Sequence, residues 1–142
     1  MPIAYLDVPP GIEVDAKKTM FGEIYAALDE AYRVPDTRIF IREWPPEKVS
    51  QDGRMDDELP KPVLFLEVPP DISIDEKRSM VRRISAAVTD AYGLPDVLIF
   101  LREYPLDMVS QDGGLQSENP MILEAMRQAA AGRSTGNGKM SH

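Results

Sequence analysis

The sequence of 142 residues has no cysteine, and its single histidine is the last residue, His142. These absences exclude a Cys-His dyad, a Ser-His-Asp triad and a zinc site of the Cys/His type. The glycine-rich phosphate-binding motifs of nucleotide-binding proteins are missing as well. The chemistry that remains is that of amines, carboxylates, arginines and tyrosines, and we expect neither a cofactor nor a metal.

Positive charge is scarce, with 16 Lys and Arg against 24 Asp and Glu and a formal net charge of −8. Such a balance excludes binding to nucleic acid or to an anionic membrane through bulk charge. No apolar run reaches the roughly 18 residues of a membrane span, and the first residues lack the pattern of a secretion signal. We therefore expect a cytoplasmic protein in which individual arginines bind any anionic substrate.

An internal repeat is the clearest feature that the sequence does have. Residues 2–53 align without gaps on residues 62–113, and 26 of the 52 aligned positions are identical. The repeat predicts one domain made of two equivalent units, residues 1–57 and 58–115. A C-terminal helix at 116–131 and a disordered tail at 132–142, rich in glycine and serine, are expected to follow.

Each copy is predicted to form a strand, a helix and a second strand. In the first copy these are residues 3–8, about 15–32 and about 38–44, with apolar helix residues at three- and four-residue steps. A right-handed crossover then makes the two strands of each copy parallel. The predicted fold is α+β, a four-stranded sheet with two helices on one face. Apolar strand runs predict that other subunits cover the second face.

Pro2 directly follows the initiator methionine. Methionine is usually removed before a small residue, so we expect a mature chain that begins with a prolyl secondary amine, a candidate general base. Many proteins begin with Met-Pro and make no use of the amine. The counterpart in the second copy, Pro62, has its nitrogen in a peptide bond and is not basic.

The start of the chain, the helix and the segment Arg38–Glu43 together resemble one subunit of 4-oxalocrotonate tautomerase, a member of the tautomerase superfamily. The tandem repeat resembles the fused members, and the second copy also resembles the cis-3-chloroacrylic acid dehalogenase group. The resemblance implies a tautomerase/MIF-like fold and a homotrimer that forms a pseudo-hexamer. It also implies cofactor-free keto-enol chemistry on a small 2-keto or 2-hydroxy-enoate carboxylic acid, with Pro2 as the base.

The same resemblance implies that Arg38 binds the substrate carboxylate. Arg42 shares its strand face by two-residue alternation and is a second candidate for substrate binding. Three aromatic side chains are candidate pocket residues: Tyr32, Trp44 and Phe100. The second copy has Tyr92 at the position of Tyr32. A tyrosine in both copies favours a packing role at the end of the helix over a role in a pocket.

Departures from the family pattern leave other functions open. The position of the family's second arginine corresponds to Gly11-Ile12, where this chain has no arginine. In the second copy, Leu98 occupies the position of Arg38. Asp36 faintly resembles the aspartate of malonate semialdehyde decarboxylase, although it also suits a loop after a proline. A decarboxylase, hydratase or dehalogenase-type lyase is therefore one alternative, and a non-catalytic assembly protein with the same fold is another.

Overall fold

The computed structural model describes residues 1–55 and 59–140; the boundary predicted between the copies, at residues 57 and 58, lies outside them, as does His142. The first copy forms β1 (Ile3–Val8), α1 (Val14–Tyr32) and β2 (Arg38–Glu43). The second copy forms β3 (Val63–Val68), α2 (Ile74–Tyr92) and β4 (Leu98–Glu103). The bounds in the first copy lie within one residue of the predicted ones.

The four strands form one sheet in the order β2-β1-β3-β4. β1 is parallel to β2 and β3 is parallel to β4, as the crossover rule predicts. The two copies meet in the middle of the sheet, where β1 and β3 are antiparallel. The predicted α+β fold with a four-stranded sheet is confirmed.

The core lies between one face of the sheet and the two helices. Alternate residues of β1 and β3 are buried, and the apolar stripes of α1 and α2 pack against them. Fully buried side chains include Leu6, Leu64, Ile24, Leu28 and Ile84, each 0% exposed. Burying one such side chain contributes about 1.5–3 kcal/mol, so this layer supplies most of the hydrophobic stabilisation.

The opposite face of the sheet is left open by a single chain. Two stacked aromatic pairs lie on it: Tyr5 with Phe40, at 5.5 Å between ring centroids, and Phe65 with Phe100, at 5.4 Å. Phe40 and Phe100 remain 47% and 50% exposed. An open aromatic surface of this kind is suited to contact with another subunit.

A short hairpin follows β4, with strands β5 (Ser110–Gln111) and β6 (Gly114–Leu115). Its turn residues Asp112 and Gly113 have positive φ angles of 52° and 82°. Two consecutive positive φ angles give the tight turn that a two-residue hairpin loop needs, and Asp-Gly adopts it readily. The hairpin turns the chain back over the edge of the sheet.

The last helix, α3, spans Pro120–Met140. Ile122 and Ala129 are buried, so the helix packs on the rest of the domain. It continues past residue 131 into the segment for which composition predicts disorder. In the described part of the chain, no helix has the length and apolarity to span a membrane.

Candidate functional site

The sheet topology gathers four strand ends at one edge. β1 and β2 begin there, and β3 and β4 end there, because the two copies are antiparallel. Met1 and Pro2 are both buried at this edge. Beside them is a cavity of about 370 Å³, lined by Met1, Ile3, Asp36, Arg38, Glu67, Tyr104, Met108, Val109, Ser110, Gln111 and Gln116. We call it the N-terminal cavity.

Arg38 is fixed beside the start of the chain by the strand register. Ile3 pairs with Arg38, and the Arg38 backbone N–H donates to the Pro2 carbonyl oxygen at 3.1 Å. The guanidinium Nε and Nη2 each donate to Asp36 at 2.9 Å. Two donors are thus used by Asp36, and the side chain is still 58% exposed. The remaining N–H groups are available to a ligand carboxylate.

The Asp36 carboxylate is held in its ionised form. The hydrogen bonds from Arg38 keep the pKa of Asp36 below its ordinary value, and Gln111 Nε2 adds a further bond at 2.7 Å. Gln111 is itself oriented by Gln116, whose Nε2 donates to Gln111 Oε1 at 2.9 Å. Gln116 is 1% exposed. The hairpin thereby fixes the arginine through Asp36.

The amino group of the chain lies in a poorly solvated position. The Met1 amine donates to the Pro35 carbonyl oxygen at 2.7 Å. Burial lowers the pKa of this amine from 8.0 to about 5, and the charge of Asp36 opposes part of that change. The Met1 amine is therefore neutral at pH 7.

Tyr104 reaches the start of the chain from the second copy. Its hydroxyl donates to the Met1 carbonyl oxygen at 2.8 Å. Burial raises the pKa of Tyr104 to about 12, with the charge of Glu67 acting in the same direction. The phenol therefore stays protonated at neutral pH, and it is a hydrogen-bond donor directed at the amino end.

The structure does not bring Arg42 and Trp44 to Pro2. Arg42 lies four residues beyond Arg38 on β2, about 13 Å along the strand. Its guanidinium donates to Asp7 at 2.9 and 2.7 Å, and the Trp44 indole N–H donates to the same carboxylate at 2.7 Å. Two-residue alternation predicts the shared face correctly but carries no information on distance along the strand.

The other two predicted pocket residues also lie outside the N-terminal cavity. Phe100 is on the open face of the sheet, stacked on Phe65. Tyr32 is 4% exposed in the core, where its hydroxyl has no hydrogen-bond partner among the described residues. Burial raises the pKa of Tyr32, with a smaller contribution from Glu103. The Tyr92 hydroxyl likewise has no hydrogen-bond partner in the described part of the chain.

Tyr104, Gln111 and Glu67 line the N-terminal cavity although sequence reasoning did not select them. All three come from the second copy, and they reach the first strand only because β1 and β3 are antiparallel. The repeat reveals that two copies exist but not how they pair. Among the described residues, no group of three or more histidine, aspartate or glutamate side chains is arranged to hold a metal ion.

Comparison with known proteins supports the fold. The chain matches no protein-family model and no curated protein sequence. It does match a solved structure described as a fused 4-OT wild-type asymmetric trimer, with a TM-score of 0.72 and 16% identity over 81% of this chain and 96% of the other. The fold implied by the resemblance of the sequence is thus confirmed.

Two further structures have the same fold. One is Pt0534 inactivated by 2-oxo-3-pentynoate, at 18% identity and a TM-score of 0.64 over 80% of this chain and 94% of that chain. The other is a macrophage migration inhibitory factor from Toxoplasma gondii, at 13% identity and a TM-score of 0.62 over 80% and 98%. At these identities the likeness is one of fold.

Proposed function

We propose that this chain, which has the fold of fused 4-OT proteins, is a cofactor-free keto-enol tautomerase. Its substrate is a small 2-keto or 2-hydroxy-enoate carboxylic acid, and its assembly is a homotrimer formed over the open aromatic face. The observation that supports this most directly is the position of the amino end, buried in the N-terminal cavity beside Arg38 and Tyr104. The cytoplasmic location stays a prediction.

The base in this proposal is the Pro2 nitrogen after Met1 has been removed. A secondary amine accepts a proton only in its neutral form, and the burial that lowers the pKa of the Met1 amine to about 5 acts at the same edge of the sheet. The amine removes a proton from the carbon next to the substrate carbonyl. It then returns that proton to another carbon or oxygen of the dienol.

Arg38 and Tyr104 supply the polar contacts for such a substrate. The free N–H groups of Arg38 bind the carboxylate in the planar, two-point geometry that a guanidinium favours. Removal of Met1 also removes the carbonyl that accepts the Tyr104 hydrogen bond. The phenol is then free to donate to the substrate oxygen, on which negative charge develops during proton transfer.

A lyase of the same fold would need a carboxylate that activates water. Asp36 is a carboxylate whose charge acts on the amino end, but its hydrogen bonds from Arg38 and Gln111 keep its pKa below the ordinary value. A carboxylate held in this way is a weak base. The geometry therefore favours the tautomerase over the decarboxylase, hydratase or dehalogenase alternative.

A pH profile of ketonisation tests this proposal. The mature chain is mixed with 2-hydroxymuconate or phenylenolpyruvate, and kcat/KM is followed by ultraviolet absorbance between pH 4 and pH 9. The base is active when neutral, so activity is lost as the pH falls through its pKa. We expect that midpoint to lie below 8, the ordinary value of an α-amino group. A midpoint at or above 8 would contradict the buried amine. No rate with either substrate would favour the non-catalytic alternative.

Replacing Arg38 separates substrate binding from proton transfer. Arg38→Ala should lower kcat/KM about 10- to 100-fold, mostly through KM, because it removes the carboxylate contact. Arg38→Lys should recover part of this loss, since lysine keeps the charge but not the planar fork. Arg78→Ala, on the exposed surface of α2, is the matched control. An unchanged kcat/KM in Arg38→Ala would remove this residue from the site.

A further inference from the structure

A local twofold axis relates the two copies. In the pairing of β1 with β3, Tyr5 lies opposite Phe65. Phe65 is also the residue that corresponds to Tyr5 in the repeat. The remaining pairs are arranged symmetrically around these two residues. The axis passes between them, so each feature at the N-terminal edge of the sheet has a counterpart at the opposite edge.

The counterpart of the N-terminal cavity is a second cavity, of about 410 Å³. A volume of this size is typical of small-molecule pockets, which run from roughly 300 to 1,000 Å³. Its lining residues repeat those of the first cavity sixty positions away in the sequence: Lys61 for Met1, Trp44 for Tyr104, Lys48 for Met108, Val49 for Val109 and Asp7 for Glu67.

The two cavities differ most in their charge. At two positions a methionine of the N-terminal cavity is replaced by a lysine, Met1 by Lys61 and Met108 by Lys48. Both replacements put a cation at the second cavity, and Arg42 adds a third. Three cationic side chains line a cavity of a protein whose net charge is −8.

Asp7 is the one carboxylate among the described residues of this lining. Asp7 accepts two hydrogen bonds from Arg42 and one from the Trp44 indole. Lys61 is held at 2.9 Å by Asp96. Lys48 forms no ion pair with any residue in the described part of the chain. Arg42 and Asp7 therefore cancel each other's charge, and Lys48 is the unpaired cation that the described lining offers to a ligand, with Lys61 lining the same cavity.

We propose that the second cavity binds a small organic carboxylate that carries a flat apolar group. Lys48 and Lys61 hold the carboxylate by charge-assisted hydrogen bonds, and the Trp44 ring with Val49 and Val63 contacts the apolar group. No reaction takes place here, because the Pro62 nitrogen is part of a peptide bond. The site is a binding site, and it does not depend on the proposed tautomerase activity.

Trp44 lines this cavity and is the only tryptophan in the sequence, so tryptophan fluorescence reports on the cavity. Phenylacetate is titrated into the full-length chain while tryptophan fluorescence is recorded, and a saturating change is expected. Phenylacetamide lacks the charge and acetate lacks the ring, so each should bind at least about tenfold more weakly. Lys48→Met and Lys61→Met, which copy the first cavity, should each weaken phenylacetate binding about 5- to 10-fold.

Two control variants locate the signal. Lys18→Met removes an exposed lysine elsewhere on the surface, and Arg38→Ala removes the anion contact of the N-terminal cavity. Both should leave the titration unchanged. The proposal is overturned if fluorescence does not saturate, if the two lysine variants bind as the parent does, or if phenylacetamide binds as tightly as phenylacetate.

Discussion

The chain that keeps Met1 is expected to show no ketonisation above the buffer rate, whereas the same chain without Met1 is expected to be active. With Met1 in place the Pro2 nitrogen is an amide, and Met1 is one of the residues that line the cavity. General base catalysis contributes about 10²- to 10⁴-fold, which sets the size of the loss. Both forms come from one preparation: the chain is released from an amino-terminal fusion with Met1 intact, and half is then treated with methionine aminopeptidase.

Covalent labelling is a second way to compare the chain with Met1 and the chain without it. An acetylenic 2-oxo acid such as 2-oxo-3-pentynoate adds an amine across its triple bond without a leaving group. The mature chain should therefore gain the full mass of one reagent, on the peptide that begins with Pro2. The form with Met1 should gain none at that peptide. Equal rates, or equal labelling elsewhere in both forms, would show that Pro2 is not the reactive group.

Pro62→Ala is the matched control for this experiment. Pro62 is buried and precedes β3 as Pro2 precedes β1, and its carbonyl accepts a bond from the Leu98 backbone N–H at 3.1 Å. That carbonyl is retained in the variant. Its rate should stay close to that of the parent, whereas Pro2→Ala should be slower because it replaces the secondary amine by a primary one. A large loss in Pro62→Ala would contradict the assignment of a single amine site.

Leu64→Ala should lower the free energy of unfolding by about 3–5 kcal/mol. Leu64 is 0% exposed, and it lies opposite Leu6 where the two copies meet. The cavity left by the substitution cannot close easily, because strands on both sides and helices above hold its walls. Urea unfolding at one protein concentration measures the change, and an unchanged slope shows that the unfolding transition is the same.

Met121→Ala is the comparison for this substitution, since Met121 is 74% exposed on α3. Its effect should stay within about 0.5 kcal/mol. If Leu64→Ala cost no more than Met121→Ala, the β1–β3 contact would not be the centre of the core.

The elements of the fold could be predicted because each was present twice. Strand ends at prolines and the helical spacing of apolar residues recur sixty positions apart, so one copy supports the interpretation of the other. Pairing of the strands within a copy followed from the crossover rule. The order of the copies in the sheet, and the antiparallel contact between them, involve residues far apart in sequence and leave no local pattern.

The candidate site could be predicted only on the side built by the first copy. Pro2 and Arg38 were identified from the sequence, and β-strand register places them next to each other. Tyr104 is the counterpart of Trp44 in the repeat, but the repeat alone does not show at which edge of the sheet each side chain lies. The twofold axis instead places Tyr104 at the cavity of the first copy and Trp44 at that of the second.

The antiparallel contact between β1 and β3 also means that neither copy forms a complete domain by itself. A fragment ending at residue 55 would contain the amine and Arg38 but not Tyr104. Its β1 would become an exposed edge strand. A gene cut at the junction would thus yield two incomplete halves rather than two smaller enzymes. A substitution at the contact between β1 and β3 alters the surroundings of both copies, so the two halves of the duplicated gene share a structural constraint.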